Sequence, residues 1–243
     1  MFAIVFAFAL TVVGYVSAEV PSFIHVCGRR DPNLDQCILD NVENLKDKIC
    51  EGIPELDIPS NNPVILDDIV ISDSSNSKIN LRDVKAMGLC DFEVKYFKLD
   101  LDNLHFDAEI FFKRIQLNGT YDFDIRLLIP IVQKGPVYIT SDNINAKANL
   151  DMNVVTKDSK RYVYMSKIKL NLDIKGYDVD YGINSEELNR LNQIISNFIG
   201  NNQEEVIKTL KPAIEEAVVK RILTLSNDIV KHFTFEELFP DKP

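Results

Sequence analysis

The sequence predicts an α+β fold in which a long C-terminal α-helix is wrapped by a highly curved antiparallel β-sheet, as one elongated module. Over residues 64–182 apolar and polar side chains alternate with period two, which is typical of long strands with one solvated face. From residue 185 onward, apolar side chains recur at helical spacing. A continuous helix over residues 186–231 would be about 69 Å long, which is too long for a spherical globule of this size, so we expect the sheet to wrap around it.

The composition is that of a globular protein, and its charge is acidic. The chain has 243 residues, of which 46% are hydrophobic and 26% charged, and its formal net charge is -10. A disordered or low-complexity chain is therefore excluded as the main state. The sequence lacks the clustered Lys and Arg side chains that bind phosphate backbones or anionic lipid, so we expect neither a nucleic-acid partner nor tight docking on such membranes.

The first eighteen residues predict a secretory signal peptide. Residues 1–18 contain no charged side chain and end in the small-residue sequence Val16-Ser17-Ala18. A membrane anchor is the alternative, but the run is short for a membrane span and is interrupted by Gly14-Tyr15. We therefore expect a secreted, extracellular protein without stable membrane insertion, whose residues 19–243 form a single domain.

A short amphipathic helix is predicted near the start of the mature chain. Asp31 is the expected N-cap, with Pro32 at the first helical position, and Gly52 is the expected stop. Between them apolar side chains recur at helical spacing, at Leu34, Cys37, Ile38, Val42, Leu45 and Ile49. The segment 52–59 is too rich in proline for a helix or a central strand.

Four cysteines fit an oxidising compartment, in which disulfides are the default. Three pairings are possible for Cys27, Cys37, Cys50 and Cys90. We favour a short Cys27–Cys37 loop together with a Cys50–Cys90 bond. A zinc site is the competing interpretation, but none of the spacings is a Cys-x-x-Cys pair and the histidines are scattered.

Three turn-like sequences separate the predicted strands: Asn118-Gly119, Lys134-Gly135-Pro136 and Lys157-Asp158-Ser159. Consecutive strands joined by short turns predict an antiparallel meander, and several of its strands exceed the usual five or six residues. Asn118 also begins the sequence Asn118-Gly119-Thr120, a candidate glycosylation site that predicts an exposed turn there.

The C-terminal helix is predicted to begin after Ser185, its N-cap. Apolar stripes over residues 188–199 and 206–225 are rotated by roughly 120° from one another if the helix is continuous. Either the helix breaks at Gly200, or the sheet covers different faces along its length. Pro212 predicts a kink within the second stripe.

Few residues suggest chemistry. The sequence contains no Gly-x-Ser-x-Gly elbow, P-loop, His-Glu-x-x-His or dinucleotide fingerprint, so we expect no enzyme, cofactor or metal site. His25, His105 and His232 are interpreted as surface or hydrogen-bonded strand positions. Arg221 lies within the second helical stripe, either as a buried cation that anchors a ligand carboxylate or as an arginine that reaches solvent or an aspartate.

Several segments, in this order and spacing, carry a resemblance to a known family. They are Cys27-Gly28-Arg29-Arg30-Asp31-Pro32-Asn33-Leu34-Asp35-Gln36-Cys37-Ile38, Gly52-Ile53-Pro54-Glu55-Leu56, Leu101-Asp102-Asn103-Leu104-His105-Phe106, Asn118-Gly119-Thr120-Tyr121-Asp122, Lys134-Gly135-Pro136, Leu210-Lys211-Pro212-Ala213-Ile214-Glu215-Glu216 and Phe235-Glu236-Glu237-Leu238-Phe239-Pro240. With them the chain resembles the insect takeout and juvenile hormone-binding protein family of the tubular lipid-binding superfamily. The resemblance covers nearly the whole mature chain.

The resemblance implies a strongly curved sheet around a long helix, with an apolar tunnel that holds one elongated hydrophobic ligand. Members are secreted carriers of terpenoid hormones or fatty-acyl molecules and are not enzymes. We expect a monomeric carrier whose lining residues are the inward members of the strand and helix patterns. The predicted lining residues are Phe112, Phe123, Leu127, Ile144, Tyr164, Ile168, Leu191, Ile195 and Phe198. A packed protein that acts through its surface is the alternative, and a lipid esterase is a further one.

Overall fold

The computed structural model describes residues 21–56, 58–60, 62–126, 130–181 and 201–242. In these ranges the elements are α1 (Leu34–Glu51), a 3-10 turn (Pro54–Leu56), β1 (Val64–Ile65), β2 (Ile69–Asp73), β3 (Ser77–Met87), β4 (Phe92–Asp100), β5 (His105–Arg126), β6 (Pro130–Lys157), β7 (Lys160–Asp173), β8 (Asp178–Tyr181), α2 (Gln203–Val230) and α3 (Phe235–Leu238). The predicted signal peptide, the Ser185 cap and Gly200 lie outside these residues.

The sheet is built around its two longest strands. β5 and β6 pair antiparallel from Arg126↔Pro130 to His105↔Asp151. On the free edge of β5, strands β3 and β4 lie end to end, and on the free edge of β6 strands β8 and β7 do the same. Strands β1 and β2 pair with β3 and form one edge. The predicted α+β fold, with a curved antiparallel sheet and a long C-terminal helix, is confirmed.

Two of the three predicted turns are wrong, because they lie inside strands. Asn118-Gly119 is in the middle of β5 and Gly135 is in β6, while Asp158-Ser159 does form the β6–β7 turn. Each misleading glycine allows a close approach instead of a turn. A Cβ on Gly119 would lie 3.0 Å from the carbonyl oxygen of Arg82, and one on Gly135 would lie 2.9 Å from the Tyr121 hydroxyl.

The two central strands change face together halfway along their length. In β5 the inward positions are even-numbered up to Phe112 and odd-numbered from Ile115. Residues 113 and 114 both lie exposed between them, and Asn143 on the paired β6 has a φ of 55°. Because of this irregularity, the alternation of apolar and polar residues in β5 has one phase before residue 113 and the opposite phase after residue 114. From the sequence alone, these two patterns predict two separate strands.

Helix α2 contacts both edges of the sheet, which is why the sheet must curl. On one edge, Lys220 forms an ion pair with Asp67, which lies between β1 and β2. On the other edge, Glu215 Oε1 accepts a hydrogen bond of 2.7 Å from the backbone N–H of Leu172 in β7. Helical side chains thus satisfy edge-strand backbone groups that would otherwise be available to pair with another chain.

Asn227 of α2 also hydrogen-bonds the backbone of edge strand β7, and the loss of these bonds should lower the stability measurably. Its Oδ1 accepts from the Met165 N–H at 2.8 Å, and its Nδ2 donates to the Met165 carbonyl at 3.0 Å. Asn227→Ala should lower the free energy of unfolding by about 2 kcal/mol, because two partly buried hydrogen bonds of about 1 kcal/mol each are lost. Urea denaturation measures this, with the exposed Thr224→Ala as the control on the same helix. Equal stability of the two variants would contradict this role.

The N-terminal helix agrees with the sequence except at its first turn. The N-cap is Asn33, two residues after the predicted Asp31, whose Oδ1 instead accepts a hydrogen bond from the Asn33 N–H at 2.8 Å. The helix ends at Gly52, as predicted, with a φ of 95°. None of the helices in the described part of the chain combines the length and apolar character that a bilayer crossing requires.

Both favoured disulfides are present. Cys27 is bonded to Cys37 within the first turns of α1, and Cys50 at the end of α1 is bonded to Cys90 between β3 and β4. Because all four thiols are oxidised, the zinc interpretation is wrong. The Cys50–Cys90 bond attaches α1 to the sheet beside β4, where Lys46 Nζ also donates to the Phe92 carbonyl at 2.7 Å.

Candidate ligand-binding interior

The concave face of the sheet and α2 enclose an apolar interior. Near one end, Leu81, Val84 and Tyr121 pack with Ala217 and Val218 of α2. At the other end, side chains of β6 and β7 pack with side chains of α2. The strand residues are Leu150, Met152, Val163 and Ile168, and the helix residues are Val219, Ile222, Leu223 and Val230. Consecutive positions of α2 therefore face different parts of the interior, as expected for a helix that a sheet covers on several sides.

Helix α2 turns one stripe of residues towards solvent, at every third or fourth position from Glu205 to Thr224, and the packing of its apolar side chains is incomplete. Its apolar side chains are Val206, Ile207, Leu210, Ala213, Ile214, Ala217, Val218, Val219, Ile222, Leu223, Leu225, Ile229 and Val230. Val230 alone among the residues of this helix is buried. The others keep surface that a water-sized molecule can reach, even though the helix contacts both edges of the sheet. A helix of this kind has apolar area left to bury against a further molecule.

Three alanines on the inner face lie side by side in the middle of the sheet. Ala108 of β5 pairs directly with Ala148 of β6, and Ala146 pairs with Ile110. We call Ala108, Ala146 and Ala148 the alanine patch. Ala108 and Ala146 are buried, whereas Ala148 is only half-buried. These methyl groups project less far from the sheet than Leu or Phe side chains would.

Eight of the nine predicted lining residues fall into three groups. Ile144 and Ile168 are buried on the inner face, with 4% and 8% of their surface exposed. Phe112 and Phe123 are half-buried on the same face. Leu127, Leu191, Ile195 and Phe198 lie outside the described residues. The assignment of these residues to a binding site stays a prediction.

Tyr164 lies on the outer face, contrary to its place in the predicted alternation. It is 38% exposed, and its hydroxyl accepts a hydrogen bond from Asn153 Nδ2 at 3.0 Å. The reason is a bulge at Ser166, because Met165 pairs with Met152 and Lys167 with Asp151. The extra residue reverses the face of every preceding position, so Tyr164 and Ile168 cannot share one side of the sheet.

Sequence reasoning missed one inward polar residue, Gln133 of β6. It is 9% exposed, and neither atom of its amide has a hydrogen-bonding partner among the described residues. Its parity with the inward Val137 and Ile139 could have revealed it. The expected turn at residues 134–136 hid that signal, because it separated Gln133 from the strand that continues beyond it.

Arg221 fits neither of its two interpretations completely. Its Nε is buried without a hydrogen-bonding partner among the described residues. Its charge contributes to lowering the pKa of Asp67, although the hydrogen bond from Lys220 to that carboxylate is the larger cause. Arg221 is thus close enough to Asp67 to interact electrostatically, while Lys220 holds the hydrogen bond to that carboxylate.

His105 is a hydrogen-bonded strand position on the outer face. Its Nδ1 lies 2.6 Å from Asp151 Oδ1 and its Nε2 lies 3.1 Å from Asp107 Oδ1. The hydrogen bond to Asp151 is the largest cause that raises the pKa of His105 above its ordinary value. Both ring nitrogens are engaged by carboxylates, so neither is positioned as a free general base.

The raised pKa of His105 predicts a pH dependence. Protonated His105 stabilises the fold, so this contribution is complete below the ordinary histidine pKa of about 6.5 and is lost as the pH rises through the higher folded value. Asp151→Asn should lower the imidazole pKa in an NMR titration, because it removes the carboxylate at 2.6 Å. Asp158→Asn, in the β6–β7 turn, removes the same charge elsewhere and should leave the pKa unchanged. Equal pKa values in both variants would refute the Asp151 contribution.

The pocket next to α1 has the wrong chemistry for an apolar ligand. Its volume is about 430 Å³, and it is open to solvent. It is lined by His25, Asp31, Asn33, Gln36, Cys37, Asp40, Asn41 and Asn44. Among the residues that the structure describes, no cluster of three or more His, Cys, Asp or Glu side chains is arranged to hold a metal ion.

The chain is similar to one known protein family and to solved structures. The sequence model of one family, haemolymph juvenile hormone binding protein (JHBP), matches residues 3–240. The crystal structure of Takeout 1 from Epiphyas postvittana superposes with a TM-score of 0.73 at 19% identity, covering 88% of this chain and 99% of that one. The crystal structure of lipopolysaccharide binding protein gives a TM-score of 0.41 at 14% identity, over 85% of this chain and 40% of that one. Curated protein sequences give no match.

Proposed function

The chain belongs to the haemolymph juvenile hormone binding protein family, and from this premise we propose that it is a secreted carrier of one elongated hydrophobic ligand. The ligand is a terpenoid like juvenile hormone or a fatty-acyl lipid, held in a tunnel between α2 and the concave face of the sheet. The protein acts as a monomer outside the cell, where its two disulfides persist. It performs no catalysis and needs no cofactor.

The accessible apolar surface of α2 is the observation that carries this proposal. The apolar side chains of a helix that contacts both edges of a curled sheet would be expected to be buried, but among the residues of α2 only Val230 is. The alanine patch presents only methyl groups on the inner face of the sheet. An apolar chain placed between the two would bury both surfaces.

The expected driving force is the removal of the ligand from water. For a chain of about fifteen carbons, the gain is on the order of 10 kcal/mol at about 0.8 kcal/mol per methylene, before the costs of association are subtracted. Among the described residues, we assign the lining to Phe112, Phe123, Ile144 and Ile168 together with the alanine patch. Leu127, Leu191, Ile195 and Phe198 complete the proposed set, and Tyr164 is left out because it faces outward.

Titration of the purified secreted protein with a fluorescent fatty-acid probe tests the proposal. We expect saturable binding of one probe per chain and its displacement by a terpenoid ester or a long-chain fatty acid. Failure to bind the probe saturably would favour a protein that acts through its surface. Hydrolysis of the terpenoid ester in the same samples would instead indicate the esterase.

A further inference from the structure

Gln133 is a buried polar side chain in an apolar interior, and the described residues give it no hydrogen-bonding partner. It is 9% exposed on the inner face of β6, between the outward-facing Val132 and Lys134. Both its Nε2 and its Oε1 are buried, and neither has a hydrogen-bonding partner among the described residues. Buried amides are nearly always paired, because burial removes them from water without a replacement bond.

The surroundings of Gln133 are aromatic. Phe123 lies directly opposite it across the β5–β6 pair. The ring of Tyr121 packs against that of Phe123 at a centroid distance of 4.8 Å and lies over Gly135 on the same face as Gln133. A leucine of similar size would fit such a place without an unpaired group, so the amide is costly unless a hydrogen-bonding partner enters the interior.

We propose that Gln133 binds the polar head of the carried ligand and selects ligands that carry a hydroxyl group. This inference rests on the proposed carrier function. The amide offers a donor at Nε2 and an acceptor at Oε1. A hydroxyl satisfies both, since its oxygen accepts from Nε2 and its O–H donates to Oε1. An ether or ester oxygen can only accept, so it leaves Oε1 unpaired.

A matched pair of competitors tests this selection. 1-Dodecanol and its methyl ether have the same alkyl chain and differ in the O–H donor. With the full secreted protein and displacement of the fluorescent fatty-acid probe, the wild type should prefer the alcohol by about tenfold, the effect expected from one buried hydrogen bond. Gln133→Leu should remove the preference, because alcohol binding loses the hydrogen bonds to both amide atoms whereas ether binding loses only the one from Nε2.

Controls separate the possible outcomes. Gln116→Leu makes the same substitution at an exposed position of β5 and should keep the preference. If Gln133→Leu fails to fold, Gln133→Met keeps the side-chain length and replaces it. Equal binding of alcohol and ether by the wild type, or an equal loss of both in the variant, would overturn the role of Gln133. Absence of binding of either competitor and of the probe by the wild type would instead overturn the carrier function itself.

Discussion

Ala148→Phe should remove most ligand binding and leave the fold intact. Ala148 lies on the inner face at the alanine patch, where it is only half-buried. A phenyl ring placed there projects into the proposed tunnel. If it displaces about three methylenes of the ligand, the loss is about 2.4 kcal/mol, or about 50-fold in affinity.

The stability of the same variant distinguishes a hollow interior from a filled one. In a solid core, inserting a phenyl ring costs about 1–3 kcal/mol through overpacking. In a tunnel, the ring finds space and the free energy of unfolding should be unchanged or higher. Probe titration and urea denaturation of one preparation give both numbers.

Asn145→Phe is the matched control for this experiment. Asn145 lies on the exposed face of the same strand, three residues before Ala148. The control adds the same ring outside the tunnel, so its affinity for the probe should equal that of the wild type. A variant Ala148→Phe that is destabilised but binds the probe normally would contradict a ligand site at the alanine patch.

Removal of the Cys50–Cys90 bond should cost about 4 kcal/mol of stability, and removal of the Cys27–Cys37 bond about 3 kcal/mol. The bonds close segments with sequence separations of 40 and 10 residues. A crosslink restricts the unfolded chain more when it closes a longer loop, which gives the order of the two effects.

The double variants Cys50→Ser/Cys90→Ser and Cys27→Ser/Cys37→Ser serve as controls for each other, because each exposes two hydroxyls and retains one bond. Urea denaturation of both measures the order. The reverse order would show that the N-terminal bond stabilises the native contacts of α1 more than loop closure accounts for.

The sequence predicted correctly those helix ends and turns that depend on residues close to each other in the chain. Gly52 ends α1 because its φ of 95° favours glycine, and the turn at Asp158-Ser159 forms between two alternating strands. The alternation over residues 64–182 was sufficient to identify an antiparallel sheet. The favoured disulfide pairing, one of three that the sequence allows, is confirmed.

Long-range contacts decided the positions that the sequence did not predict. Gly119 and Gly135 resemble turn residues, but they are small because the Arg82 backbone and the Tyr121 ring approach them. The change of face at residues 113–114 and the bulge at Ser166 reverse the phase of alternation, and a period-two pattern cannot locate such reversals. For this reason the period-two pattern places Tyr164 on the wrong face, whereas Gln133 is hidden because Gly135 suggests a turn.

Native mass spectrometry of the secreted protein, before and after incubation with 1-dodecanol, measures directly whether a ligand is carried. We expect each chain to hold one small hydrophobic molecule, either a co-purified lipid that solvent extraction releases or the added alcohol. A bare chain before and after incubation, with no displacement of the fluorescent probe, would mean that the space between α2 and the sheet admits no ligand.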